Sequence, residues 1–184
     1  MVTDVKFEAI TGVEIVTLAK AKKQLKIEAG FNDEDDLIQG YIDASVGASE
    51  DYIGGHIAEK NMVLKLDVFE SLIVFEAFPI QSIESIKYFP KDGAGEITMP
   101  TENYSLTSVN PKVSKISFKT VPETTERFDA VTISVKVGIE ASKVPKPIIQ
   151  AILLQVSDMY ERREDRTEVN LTVGTGLLRP YKKF

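Results

Sequence analysis

The longest helical signal in the chain starts at Pro147. From there Ile148, Ile152, Val156, Met159 and Tyr160 recur at helical spacing, and Ile149 and Leu153 widen the apolar arc. Gln150, Ser157 and Glu161 fall opposite. A proline in the first helical turn has no N–H partner to lose, so the helix begins there and runs to about Arg163, roughly 25 Å. Burying its apolar face contributes on the order of 2 kcal/mol per large side chain. Leu154 breaks the pattern by pointing into the polar side. A single exposed leucine is ordinary; the sharper reading is a contact with another chain.

Two shorter helical patterns lie near the amino terminus. Thr17 suits the N-cap of a helix over Leu18–Ile27, with Leu18, Ala21 and Leu25 on one side. Lys20, Lys22, Lys23 and Lys26 crowd this helix, as a solvated face or as a contact for an acidic partner or a phosphate backbone. Asn32 or Asp33 then caps a longer helix through about Ile53, with the acidic run at 33–36 in its first turn, where the helix dipole favours carboxylates. Leu37, Tyr41, Ala44, Ala48 and Tyr52 share a face of this helix, with Ile38, Ser45 and Ser49 beside it. Gly40, Ala44, Gly47 and Ala48 are small enough to let another backbone come close. Gly54-Gly55 stops the helix.

After His56 the period shortens to two. Met62, Leu64, Leu66 and Val68 alternate with polar or smaller neighbours. Apolar strands follow over Leu72–Phe78, Ser82–Phe89 and Glu96–Met99, the last two flanking the turn-rich Lys91-Asp-Gly-Ala-Gly95. Tyr104–Ser108 and Lys115–Lys119 read as another pair, with Ile116 and Phe118 inward. Ala130–Val137 is the clearest strand, Val131, Ile133, Val135 and Val137 alternating with Thr132, Ser134 and Lys136 before Gly138. Residues 2–16 alternate weakly and predict one or two short strands around Thr11-Gly12.

The expected fold is therefore α+β: a small helical bundle of two N-terminal helices and the long C-terminal helix, with an inserted antiparallel sheet having one solvated face. The division is 1–56, 57–140 and 141–184, the last packing against 17–56. After Arg163 the chain turns polar, Glu164-Asp-Arg-Thr-Glu168, and ends in a tail that cannot build a core of its own and is either frayed or docked.

At 184 residues the chain is long enough to bury a core. It has no cysteine, which excludes disulfides, thiolate catalysis and cysteine-held metal. A net charge of −6 argues against coating nucleic acid, although DNA can still pass close to part of the surface. No apolar run is long enough to span a membrane, and the first residues lack the order of a signal peptide, so a soluble intracellular product is expected. The single histidine, His56, sits at a helix end, where a basic side chain near the last carbonyls has a structural role. Gly174-Thr-Gly176 is an isolated Gly-x-Gly with no following helix, and no calcium loop, nucleophile elbow, phosphate loop or zinc-protease spacing is present. No catalytic residue, cofactor or metal is expected. Arg162 and Arg163 are explained as cations at a helix end. With Arg166, Arg179, Lys182 and Lys183 they also make the tail locally basic, as a docking segment for an acidic neighbour would be.

The sequence resembles the head–tail connector, or head-completion adaptor, proteins of tailed bacteriophages. Three blocks carry the likeness: Val16-Thr-Leu-Ala-Lys-Ala-Lys-Lys-Gln-Leu-Lys-Ile27 with Asp33-Glu-Asp-Asp-Leu-Ile38; Phe78-Pro-Ile-Gln-Ser-Ile-Glu-Ser-Ile-Lys-Tyr88 with Asp92-Gly93 and Tyr104; and Val144-Pro-Lys-Pro-Ile-Ile-Gln-Ala-Ile-Leu-Leu154 with Tyr160-Glu-Arg-Arg163. The shorter members are nearly all helical, so the β region resembles the insertion of longer ones. The resemblance implies a non-enzymatic virion protein forming a ring of about a dozen subunits between the portal protein and tail-side neck proteins, with DNA in its lumen. It places the protein in the virion neck after assembly and in the host cytoplasm before it. Gly40, Ala44, Gly47, Ala48 and Leu154 are then candidates for the subunit contact, and Leu177, Leu178, Arg179 and Tyr181 for docking on the portal or a neighbour. The alternative classes are a bacterial binding or scaffold module whose β part holds a peptide or sugar, and a small carboxylate hydrolase.

Overall fold

A computed structural model describes residues 2–9, 14–76, 80–93, 95–110, 113–163 and 173–182. The fold is mixed α+β, with four α-helices and two antiparallel sheets among these residues. The chain divides into two compact units, Met1–Thr11 with Glu59–Ile139 and Gly12–Ala58 with Glu140–Phe184. The expected turn at Thr11-Gly12, the end of the strand at Phe78, the polar stretch at 164–168 and Lys183 lie outside the described residues.

In the first unit, eight strands are arranged as two sheets where the sequence predicts one. The larger contains β1 (Val2–Ala9), β2 (Lys60–Leu66), β4 (Ile80–Tyr88), β5 (Ile97–Thr98) and β8 (Val131–Val137), in the order β1-β2-β8-β4-β5. The smaller is β3 (Leu72–Glu76), β7 (Val113–Phe118) and β6 (Tyr104–Asn110), in that order. Residues 2–9 form a strand, as their weak alternation predicts, and this strand, β1, lies at the edge of the larger sheet, antiparallel to β2. The alternation in β8 is reproduced fully: Val131, Ile133, Val135 and Val137 are buried, with only partly buried residues between them.

β4 does not follow a period of two, because its inward residues are Ile80, Ile83, Ile86 and Tyr88. Register shifts between Ile80 and Ser82 and between Ile83 and Ser85 absorb the extra residues, so all four face the same side as Val137, Val135, Ile133 and Val131. The inner faces of the two sheets share one core, which includes Met62, Leu64, Ile86, Ile116 and Ile133. Phe69 links them by packing edge-on against Tyr88 of the larger sheet and Phe118 of the smaller, with ring centroids 5.3 and 5.2 Å apart. The fully buried Ser114 adds a polar tie, its hydroxyl accepting the Ile80 N–H at 3.1 Å.

In the second unit, α1 (Leu18–Leu25) starts at the Thr17 cap, whose hydroxyl accepts from the Lys20 N–H at 3.3 Å. The next helix, α2 (Asp35–Ile53), stops at Gly54 in the left-handed conformation, φ 73°. The third, α3 (Lys146–Glu161), carries Pro147 in its first turn and buries Ile148, Ala151, Ile152, Leu153 and Val156. The tail is not structureless: α4 (Val173–Leu178) is helical and leads into a 3-10 turn over Arg179–Tyr181, so Gly174-Thr-Gly176 lies inside a helix.

The buried side of α2 is rotated by about one residue from the expected face. Ile38, Ile42, Ser45 and Ser49 are buried, while Leu37, Ala44 and Ala48 are exposed. The reason is payload. Ile38 and Ile42 bring two large branched side chains to one side, worth about 2 kcal/mol each when buried, whereas on the Leu37 side Ala44 and Ala48 offer little to bury and Tyr41 and Tyr52 stay half-buried. Ser45 and Ser49 keep that buried side narrow where α3 packs, and the Gln155 side-chain amide of α3 donates to the Ser49 hydroxyl at 3.3 Å.

Candidate functional site

Three polar clamps hold the helical unit in shape. The first is Lys22. The charge pattern groups it with the exposed lysines, yet its side chain is only 6% exposed. Its ammonium donates to the Phe31 carbonyl at 2.8 Å and the Asn32 side-chain oxygen at 3.1 Å, and pairs with Asp35. The signal was present in the sequence: Lys22 lies one turn from Leu18 and next to Ala21, inside the apolar arc of α1.

Glu34 makes the second clamp. It occupies the N-cap of α2, where Asn32 or Asp33 was expected, but its side chain does not cap the helix. It accepts a short hydrogen bond from the Tyr160 hydroxyl and a 2.6 Å bond from Arg163 Nη2. The Arg163 guanidinium also sits 5.0 Å from the centroid of the Tyr160 ring. The Tyr160 bond, then the Arg163 bond, hold the Glu34 carboxyl below its ordinary range, and the same Glu34 bond pushes the Tyr160 phenol up. Arg163 is thus more than a helix-end cation. Arg162 instead pairs with Asp158 one turn back, at 3.3 Å.

The third clamp is Glu50, 8% exposed, whose Oε1 accepts the N–H groups of Ile57 at 2.8 Å and Ala58 at 2.9 Å. Its other oxygen lies 3.4 Å from His56 Nδ1. His56 therefore has the carboxylate of Glu50, in the last turn of α2, as a partner.

The predicted contact residues fall in two places. Gly40, Ala44 and Ala48 are exposed on α2, and Gly47 is half-buried beside them. A methyl group added at Gly40 or Gly47 meets no atom within 4 Å, so among the described residues of the helical unit no backbone packs on that face. Leu154 is half-buried, not fully exposed, and lines a shallow pocket between α3 and α4 with Met159, Val173 and Gly174.

The tail requires a correction. Leu178 has no exposed surface and belongs to the core of the helical unit, so it is not available to dock elsewhere. Leu177 and Tyr181 are half-buried and Arg179 is exposed. The Lys182 ammonium lies 5.0 Å from the centroid of the Tyr52 ring. Among the described residues no group of three or more His, Cys, Asp or Glu is placed to hold a metal ion, and no helix is long and apolar enough to cross a membrane.

No protein-family model and no curated protein matches the sequence. Solved structures do match the fold along nearly its whole length. A chain in the virion of a native gene transfer agent particle is 18% identical, with 97% of this chain and 95% of that one covered and a TM-score of 0.75. A chain in the neck of an empty gene transfer agent particle, computed with C6 symmetry, is 16% identical over 97% of this chain and 96% of its own, TM-score 0.73. A chain in the neck of the native particle, computed with C12 symmetry, is 15% identical with the same coverage and a TM-score of 0.71. The fold is shared with these chains of gene transfer agent particles. The likeness covers both units of the chain.

Proposed function

We propose that this chain is a head–tail connector, a non-enzymatic structural protein of a phage-like virion that forms a ring between the portal and the tail-side neck proteins. The observation that carries this is the fold likeness to neck chains over 97% of the sequence, sheets and helices together. Rings of six- or twelve-fold order support a homo-oligomer of about a dozen copies, since those particle necks were computed with C6 and C12 symmetry. The helical unit, built from two stretches separated by the β unit, is read as a small bundle with the β unit inserted. DNA passes through the ring. The net charge of −6 suits a conduit, because like charge keeps phosphates from adhering. The protein is cytoplasmic before assembly and part of the virion neck afterwards.

In this reading the exposed side of α2, with Gly40, Ala44, Gly47 and Ala48, and Leu154 beside the α3–α4 pocket are subunit-contact residues. Leu177, Arg179 and Tyr181 remain candidates for docking on the portal. The test is direct. The chain is mixed with a portal protein from its own genome and the product imaged by electron microscopy, with the chain alone followed by sedimentation at rising concentration. A ring seated on the portal is expected. A chain that neither self-associates nor binds that portal refutes the proposal.

A further inference from the structure

Helices α1 and α2 carry charge of opposite sign on their outer sides. α2 contains five carboxylates and no basic residue, and α1 with its Lys26 cap contains four lysines and no acid. The inward members are used within the chain, Lys22 with Asp35 and Glu50 with the backbone at 57–58. What remains outward is Lys20, Lys23 and Lys26 on one helix and Asp36, Asp43 and Asp51 on the other, all exposed. Asp43 accepts a hydrogen bond from Gln39 of its own helix at 3.0 Å. Among the described residues the three outward lysines, Asp36 and Asp51 have no ion-pair partner. At about 100° per residue the outward acids share one side of α2 with Gly40, Ala44 and Gly47. That side is open, since a methyl group at Gly40 or Gly47 would touch nothing.

We propose that copies of this chain join head to tail, with the Lys20, Lys23 and Lys26 side of α1 on one copy facing the Asp36, Asp43 and Asp51 side of α2 on the next. This rests on the ring reading and names its contact. The charge distribution selects lysines against aspartates, since pairing either surface with itself brings like charges together. Used once toward each neighbour, that contact is heterologous, repeats and can close into a ring, whereas a reciprocal two-fold pair would use both surfaces in one dimer and give no ladder on cross-linking. The glycines and alanines among the acids let the neighbouring helix approach, so lysine side chains reach the carboxylates without displacing large residues. Exposed ion pairs each contribute little, so the contact chiefly sets register and order and weakens with salt. Phosphate is the other anion the lysines fit, but DNA would leave the acidic side of α2 unmatched.

Charge reversal tests this. Wild type, K20E/K23E, D43K/D51K and the variant combining all four are compared by sedimentation and by assembly on the portal, with circular dichroism as the folding control. Each one-sided reversal should weaken self-association about tenfold or more, and the combined variant should restore it. Because the chain has no cysteine, K23C with A48C in one chain provides a second measurement. A short bis-maleimide should give a ladder of covalent multimers from the double variant and no more than dimers from either single one. If wild type assembles while the reversals and the ladder show no effect, this contact is wrong and the ring reading stands. If K20E/K23E loses only DNA retention, the lysines meet phosphate and the contact is likewise wrong. Wild type that never assembles, with or without portal, overturns the ring reading and this contact with it.

Discussion

Arg163 Nη2 donates to Glu34 Oε1 across 2.6 Å, closing a separation of 129 residues, and Tyr160 holds the other oxygen of the same carboxylate. Two sequence blocks that carried the resemblance, the acidic start of α2 and the Tyr-Glu-Arg-Arg end of α3, are thereby one physical object. Glu34 is the acceptor that fixes the start of α2 against the end of α3.

The pH dependence of that clamp follows from its groups. The Glu34 carboxyl is lowered from 4.5, so its stabilisation is complete above that value and is lost as pH falls through the lower folded value. The Tyr160 phenol is raised from 10.0, so its share is complete below 10.0 and is lost as pH rises beyond it. Urea midpoints of wild type and E34Q should therefore differ between about pH 5 and 9, wild type being higher. The difference should close as wild-type Glu34 protonates in stronger acid. A constant gap down to pH 2 would show that the clamp is not what separates them.

Lys22 is the most costly exposed-looking lysine in the chain to remove. K22A leaves the Phe31 carbonyl, Asn32 and Asp35 without their shared donor, a loss of about 2–3 kcal/mol by chemical denaturation. K22R should recover little, because a planar guanidinium does not fit three acceptors arranged for an ammonium. K23A, one position on, should cost no more than about 0.5 kcal/mol. Equal effects at 22 and 23 would contradict the buried placement of Lys22.

Some of this was legible in the sequence and some was not, for identifiable reasons. β8 could be read because four branched residues alternate with polar ones, and α3 because its proline and apolar arc coincide. The buried face of α2 lies one residue from the one its pattern favours, since Leu37, Tyr41 and Tyr52 together carry more apolar surface than Ile38 and Ile42, while nothing local marks Ser45 and Ser49 as the packing surface. Alternation in β3, β6 and β7 identifies strands without saying which sheet they join. That is decided by long-range pairings such as Ile73 with Ile116. The helix at Val173–Leu178 has no sequence signal, because two glycines in six residues oppose helix propensity and it is packing on α3 and α2 that holds it. Of the candidate contacts, the run of small residues on α2 is plain in the sequence, but neither its openness nor the burial of Leu178 is.

Leu178 separates folding from docking in the tail. With no exposed surface, L178A should cost about 2–5 kcal/mol, in the range of buried leucine truncations, whereas R179A should leave stability within about 0.5 kcal/mol. Removing 173–184 entirely should therefore destabilise the helical unit, so lost assembly in that truncation reports folding as well as contact. R179A, which keeps Leu178, is the informative variant for docking on the portal. Thermal unfolding of the two single variants checks this, and an unchanged L178A would place the tail outside the core.

Ser45 offers a prediction of the opposite sign. It has no exposed surface, and its hydroxyl has no hydrogen-bond partner among the described residues. A buried hydroxyl without a partner gives up hydration and regains nothing, so removing it should help rather than harm. S45A keeps the narrow side chain that lets α3 pack on α2 and improves helix propensity, and it should raise stability by up to about 1 kcal/mol. S45V tests the packing half of the argument, because putting a methyl in place of the hydroxyl and adding a second one in that buried seam should cost about 1–3 kcal/mol. S49A should be less favourable than S45A, since it removes the acceptor of the Gln155 amide. Measuring the three by urea denaturation orders them as S45A, S49A, S45V from most to least stable. A destabilised S45A would mean that the hydroxyl has a partner the geometry does not reveal.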